Sequence, residues 1–302
     1  MTRNGRVSAA IAVCCTAAGV ALAGCDEAPD ASPPASGTTS QASHEGSFTG
    51  NRKIRVDGRA VHVSCSGAPA KDRPVVVLVL GAGDGLDKMA DLQRTLGEED
   101  RVCSYDRLGA GASDQPDGPQ TLDDTGRVLS SVIDQVAGGA PVVLAGHSLG
   151  GLIAARYAPD HQDRVKGLVL IDATSPTQSA DLTAEIPDSA TGPAADLRAQ
   201  TLAVLQGENP EKLVVPDGKV VSAGDIPVEV IQHGKQYLAA VPEYGPALER
   251  AWAEGEHKWL AVSSRSKLST AANSEHYIYL DQPDVAVQAI QRVTTQAADG
   301  LR

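Results

Sequence analysis

Aromatic side chains make up only 3% of this 302-residue chain, with one Phe and two Trp. Positive charge is short as well: 26 Lys and Arg face 38 Asp and Glu, a formal net charge of −12. A chain that repels phosphate, with no basic stretch interleaved with aromatics, is a poor nucleic-acid binder. Its acidity reads as a solvated surface. No His, Cys or carboxylate group has metal-ligand spacing, so no metal is expected. A P-loop and a dinucleotide fingerprint are both missing, so no cofactor is expected. Internal repeats are absent too. At 42% apolar residues, the length suits one large α/β domain, or such a domain with an inserted lobe.

A membrane-spanning run is also lacking. The start "MTRNGR" is positive, and "VSAAIAVCCTAAGVALA" is too short and small-residued to span a bilayer. The stretch ends in Leu22-Ala23-Gly24-Cys25. That tetrapeptide resembles the bacterial lipobox, whose cysteine receives a thioether-linked diacylglycerol and becomes the new amino terminus. The resemblance implies a signal peptide over 1–24, lipidation at Cys25, and export to the outer face of the bacterial cell membrane. Several acyl chains anchor far better than one, at about 0.8 kcal/mol per buried CH₂. Residues 25–51, rich in Ala, Ser, Pro, Thr and Gly, cannot bury a core and read as a disordered tether. His44 lies there and receives no role. Once export is accepted, Cys14 and Cys15 leave with the signal and Cys25 is the anchor. Cys65 and Cys103 remain, an even pair in a compartment where disulfides persist.

From residue 52 onward strand and helix signals alternate. "KIRVDGRAVHVSC" reads as a hairpin about Asp57-Gly58. "PVVVLVLG" is a continuous apolar run, as in a strand covered on both faces. "RVCSYD", "PVVLAG", "GLVLID" and "PVEVIQ" read as further strands. Leu122, Val128, Leu129, Val132, Ile133 and Val136 recur at helical spacing up to Gly138-Gly139. A last helix is expected to start at Asp281 and Pro283. This alternation predicts a doubly wound, mostly parallel sheet with helices on both faces. The stretch 173–226 is too long for a plain connection and is expected to form a small, mostly helical cap.

"LAGHSLGGLIAARYA" places Ser148 where a strand must turn into a helix, with glycines at 146 and 150 leaving room for a strained backbone. Gly146-His147-Ser148-Leu149-Gly150 fits the nucleophile-elbow pattern. A glycine-rich turn with an incidental serine is the bland alternative. The rest of the chain argues against it. "VLVLGAGDG" resembles the oxyanion turn of the α/β-hydrolase superfamily, with Leu80-Gly81 where His-Gly is usual. "YDRLGAGAS" resembles that superfamily's segment after the fourth strand, and "NSEHYIYLDQPDVAVQAI" its histidine loop, with Glu275 where many relatives have Gly. The ordered resemblance runs from about residue 55 to 295.

The resemblance implies Ser148 as nucleophile, His276 as its base, and the backbone N–H groups of Ala82 and Leu149 as oxyanion donors. A serine hydroxyl needs a base to take its proton, and the base needs a carboxylate to fix its tautomer. Most relatives carry that acid shortly after the penultimate strand, but "VIQHGKQYLAAVPEYG" has none before Glu243. Asp172, ending the preceding strand, is the preferred acid and Glu243 the alternative. His233, at the end of "PVEVIQH", competes with His276. His62, His147, His161 and His257 read as structural or exposed. In this superfamily the second and fourth strands are neighbours, which implies a Cys65–Cys103 disulfide.

The expected function is cleavage of an ester or similar acyl bond in a small-molecule substrate. An aminopeptidase or amidase of the same fold is the first alternative, for which the cap offers Asp181, Glu185 and Asp188. A non-catalytic binding lipoprotein is the second.

Overall fold

The computed structural model describes residues 48–301. The signal segment, Cys14, Cys15, Cys25, His44 and nearly all of the tether lie outside the described residues. Eight strands form one sheet: β1 (Gly50–Val56), β2 (Arg59–Ser66), β3 (Val75–Val79), β4 (Val102–Tyr105), β5 (Val142–His147), β6 (Val165–Ile171), β7 (Pro227–His233) and β8 (Arg265–Ala271). Their order is β1-β2-β4-β3-β5-β6-β7-β8. Only the β1–β2 and β2–β4 pairings are antiparallel. The helices are α1 (Ala90–Leu96), α2 (Leu122–Ala137), α3 (Leu149–Tyr157), α4 (Gln178–Glu185), α5 (Pro193–Leu205), α6 (Gly245–Lys258), α7 (Ile278–Asp281) and α8 (Pro283–Asp299).

Alternation along β3 and on to Leu80, the residue after it, explains the two-layer cover. Val75, Val77 and Val79 join the core with α2 and α3, while Val76, Leu78 and Leu80 join the core with α1 and α8. Each such side chain, fully buried, is worth about 1.5–3 kcal/mol. The hairpin turn takes positive φ at Asp57 (48°) and Gly58 (82°), as a two-residue turn of this kind requires. Cys65 and Cys103 are register partners across β2 and β4, with Cα atoms 4.1 Å apart and their sulfurs joined.

Three features depart from the sequence reading. β1 begins at Gly50, inside the stretch assigned to the tether. β8 carries no strand signal in the sequence, because "RSKLSTA" is a largely exposed edge strand with a single buried residue, Ala271. Asp281 does not start the last helix: it closes α7, and α8 begins at Pro283 behind Gln282.

The segment between β6 and β7 carries α4 and α5. Leu182, Ile186 and Ala194 from this segment form a small core with Leu248 of α6.

Candidate active site

Ser148 stands at the corner between β5 and α3 with φ 52° and ψ −122°. A non-glycine residue in that region costs on the order of 1–3 kcal/mol, so its surroundings must enforce it. They do so by close approach. A Cβ at Gly146 would lie 2.4 Å from the Gly150 carbonyl oxygen, and one at Gly150 would lie 2.1 Å from that of Val79. Ser148 N–H donates to the Ile171 carbonyl, and the Ser148 carbonyl accepts from Thr174 N–H, each at 3.1 Å. The carboxyl ends of β5 and β6 are therefore joined at the elbow.

Asp172 directly follows β6, also at positive φ (44°) and completely buried. Its carboxylate is the hub of the site. Oδ2 accepts from His276 Nδ1 at 2.7 Å, and Oδ1 accepts from His233 Nδ1 (2.8 Å), His233 N–H (3.0 Å) and Trp252 Nε1 (3.1 Å). Burial alone would raise its pKa, but the hydrogen bonds from His233 and His276 outweigh it and hold the group well below the ordinary range.

His276 lies in the loop between β8 and α7, with its side chain partly exposed. That loop is fastened twice. Asp281 accepts from Glu275 N–H at 2.8 Å and from the Ser274 hydroxyl at 3.3 Å. His147 Nε2–H donates to the His276 carbonyl at 3.0 Å. Burial, aided by the nearby His276, lowers the His147 pKa to about 3, so this ring stays neutral.

An apolar cavity of about 200 Å³ opens in front of Ser148. Ala82 and Leu149 border it beside the serine, and Leu182, Leu197, Val204, Leu205 and Leu248 form much of its wall. The turn that carries Ala82 is held from below. Arg107 donates to the Gly81 carbonyl at 2.6 Å and also to that of Leu80. Glu211, from the segment between β6 and β7, accepts from Arg107 Nε (2.7 Å) and Gly83 N–H (2.6 Å). Both charged side chains are almost fully buried.

The structure brings Ser148, Ala82 and Leu149 to one cavity and joins Asp172 to His276. Glu243 is exposed in the turn before α6, whereas Asp172 is the carboxylate on His276. His233 ends β7, as read from the sequence, but its Nδ1 faces Asp172 and its Nε2 faces Glu249, leaving no ring nitrogen for a hydroxyl. His62 pairs with Asp106 at 3.0 Å, His161 stacks on Tyr157, and His257 donates to its own helix. Of the cap acids, only Asp181 borders the cavity, and both its oxygens accept from Lys258 at 2.8 Å. Sequence reasoning missed Trp252, Glu249 and Glu211. None sits in a motif, and only the placement of α6 and the cap segment brings them in.

Comparisons with known proteins agree with this architecture. The alpha/beta hydrolase fold family matches residues 74–204. An uncharacterised protein, YqjL of Bacillus subtilis, is 25% identical over 240 residues, 79% of this chain and 89% of that one. A putative carbamate hydrolase, RutD of Klebsiella pneumoniae, is 36% identical over 107 residues, covering 35% of this chain and 40% of that protein. The crystal structure of a proline iminopeptidase from Mycobacterium smegmatis superposes with a TM-score of 0.59 at 15% identity, over 83% of this chain and 99% of that one.

Proposed function

We propose that this chain, which has the α/β-hydrolase fold, is a serine hydrolase acting on an ester or similarly activated acyl bond. Ser148 attacks the acyl carbon, His276 takes the hydroxyl proton and later returns it to the leaving group, and Asp172 fixes the imidazole and stabilises its charged form. The N–H groups of Ala82 and Leu149 receive the oxyanion. One observation carries this reading: the buried Asp172 carboxylate holds His276 Nδ1 at 2.7 Å beside the strained Ser148 corner. An acyl-enzyme forms on Ser148 and water releases it.

The apolar wall favours an uncharged acyl group. A preference for a free amino terminus calls for an unpaired acid in the cavity, but Asp181 is engaged by Lys258. Neither Glu185 nor Asp188 borders the cavity. That pairing favours the ester over the aminopeptidase alternative.

The test is fluorophosphonate labelling mapped to Ser148, followed by a panel of chromogenic esters of increasing acyl length beside aminoacyl amides. Labelling with ester turnover supports the reading. Absent labelling supports the non-catalytic alternative, and faster amide cleavage supports the aminopeptidase.

The proposal includes export and lipidation at Cys25, motivated by the Leu22-Ala23-Gly24-Cys25 signal. Mass spectrometry of the membrane-extracted amino terminus checks it. A diacylglyceryl adduct on Cys25 is expected, and a retained signal contradicts it.

A further inference from the structure

His233 is held between two carboxylates. Its Nδ1 lies 2.8 and 3.0 Å from the two Asp172 oxygens, and its Nε2 lies 2.9 Å from Glu249 Oε2. A neutral imidazole has one donor and one acceptor nitrogen, whereas ionised carboxylates only accept. Both contacts are satisfied together only when both ring nitrogens carry protons. Glu249 is itself pinned, its Oε1 accepting from the N–H groups of Leu238 (2.6 Å) and Ala239 (3.1 Å). The ring is nearly buried, with Tyr237 packed edge-on at 4.9 Å.

We infer, resting on the triad reading above, that His233 is a positioning residue: clamped by Glu249, it fixes the Asp172 carboxylate for His276 and offsets part of its negative charge. Asp172 thus serves two histidines, one facing the elbow and one facing α6. The second shares the carboxylate's charge, so the carboxylate stabilises the His276 imidazolium less than it would alone.

The surrounding charges fit. Burial works against the His233 proton, but Asp172 and then Glu249 overcome it and raise its pKa to about 8. Glu256, the other acid of α6 near Asp172, has its pKa pushed well up by burial and then by the Asp172 charge, which favours its uncharged form. His147 is neutral, and the Tyr237 phenol is pushed well above its usual range by burial. Asp84, in the turn after β3, also acts on His276, and burial raises its pKa.

Two substitutions separate positioning from mere packing. His233→Gln removes the cation and leaves the Asp172 charge unopposed at His276. The acidic limb of the pH profile then moves to higher pH, on the order of one unit. Turnover falls about ten- to a hundredfold as the carboxylate loosens. Glu249→Gln keeps an oxygen for Leu238 and Ala239 and presents an amide N–H to Nε2, so His233 is satisfied when neutral. Here the acidic limb moves in the same direction while turnover falls less.

The experiment measures kcat/KM against pH with p-nitrophenyl butyrate, and fluorophosphonate labelling of Ser148 against pH, on the full chain and both variants. In parallel, ring-nitrogen NMR of Ser148→Ala follows His233, which is expected to be protonated on both nitrogens up to about pH 8. A shifted acidic limb with a doubly protonated His233 supports the clamp. An unmoved limb with unchanged turnover in His233→Gln, or a His233 singly protonated at pH 7, overturns it. If the wild-type chain neither labels nor turns over, the hydrolase reading fails, and the NMR titration still decides the clamp. The same titration decides it if the variants do not fold.

Discussion

His147 and His276 are joined through a single hydrogen bond from the side chain of one to the backbone of the other, with ring centroids 4.5 Å apart. The carbonyl can only accept, so His147 must carry its proton on Nε2. The residue beside Ser148 thereby fixes the loop that carries His276. His147→Phe keeps a ring of similar shape and deletes the donor. Turnover should fall by about tenfold or more with the fold intact. Steady-state kinetics with circular dichroism checks it, and wild-type turnover in that variant removes the assigned role.

Asp172→Asn should lower turnover by on the order of 10³ or more, because an amide cannot hold the His276 tautomer. Glu243→Gln should leave turnover unchanged, since Glu243 is exposed in the turn before α6. The reverse pattern would move the acid to Glu243. Ester kinetics on both variants decides.

The buried Arg107–Glu211 pair joins the segment between β6 and β7 to the turn around Ala82. Glu211→Ala strands a buried guanidinium and should cost about 3–5 kcal/mol of stability. Replacing both partners with apolar residues (Arg107→Met with Glu211→Leu) should recover much of that stability. Turnover should stay low, because the Leu80 and Gly81 carbonyls lose their donor. Denaturant unfolding beside kcat separates the two effects; full recovery of both would show the pair to be structural alone.

Across β2 and β4, the Cys65–Cys103 link spans 38 residues of sequence. Closing a loop of that length is worth about 4 kcal/mol through the unfolded chain. Reduction, or Cys65→Ser with Cys103→Ser, should lower stability by up to that amount while the strand pairing persists. Urea unfolding with and without reductant measures it, and thiol titration of the unfolded, unreduced domain should find neither cysteine free.

Most of the sheet was legible because buried parallel strands read as apolar runs: β3 is unbroken between Pro74 and Gly81, β5 follows Pro141, and β6 carries the run Leu168–Ile171. β8 escaped because an edge strand needs no apolar face, and its pairing with β7 is carried by backbone groups that every residue possesses. The elbow was legible for a local reason as well. Ser148 sits in a strand-turn-helix whose pattern is complete within five residues of chain, although Gly150 is also demanded by the Val79 carbonyl of β3.

The sequence alone therefore determined the Ser148 corner, the alternation of elements and the pairable cysteines, since each shows in a short local pattern or in periodicity. The tertiary structure decided which carboxylate meets His276. Asp172 lies 104 residues away along the chain, and His233 binds it across 61. It likewise decided that Glu249 clamps His233 and that Glu211 supports the Ala82 turn. A hydrogen bond depends on distance and direction in space, and for these groups both are set by how β6, β7, α6 and the cap segment pack, which no local pattern encodes.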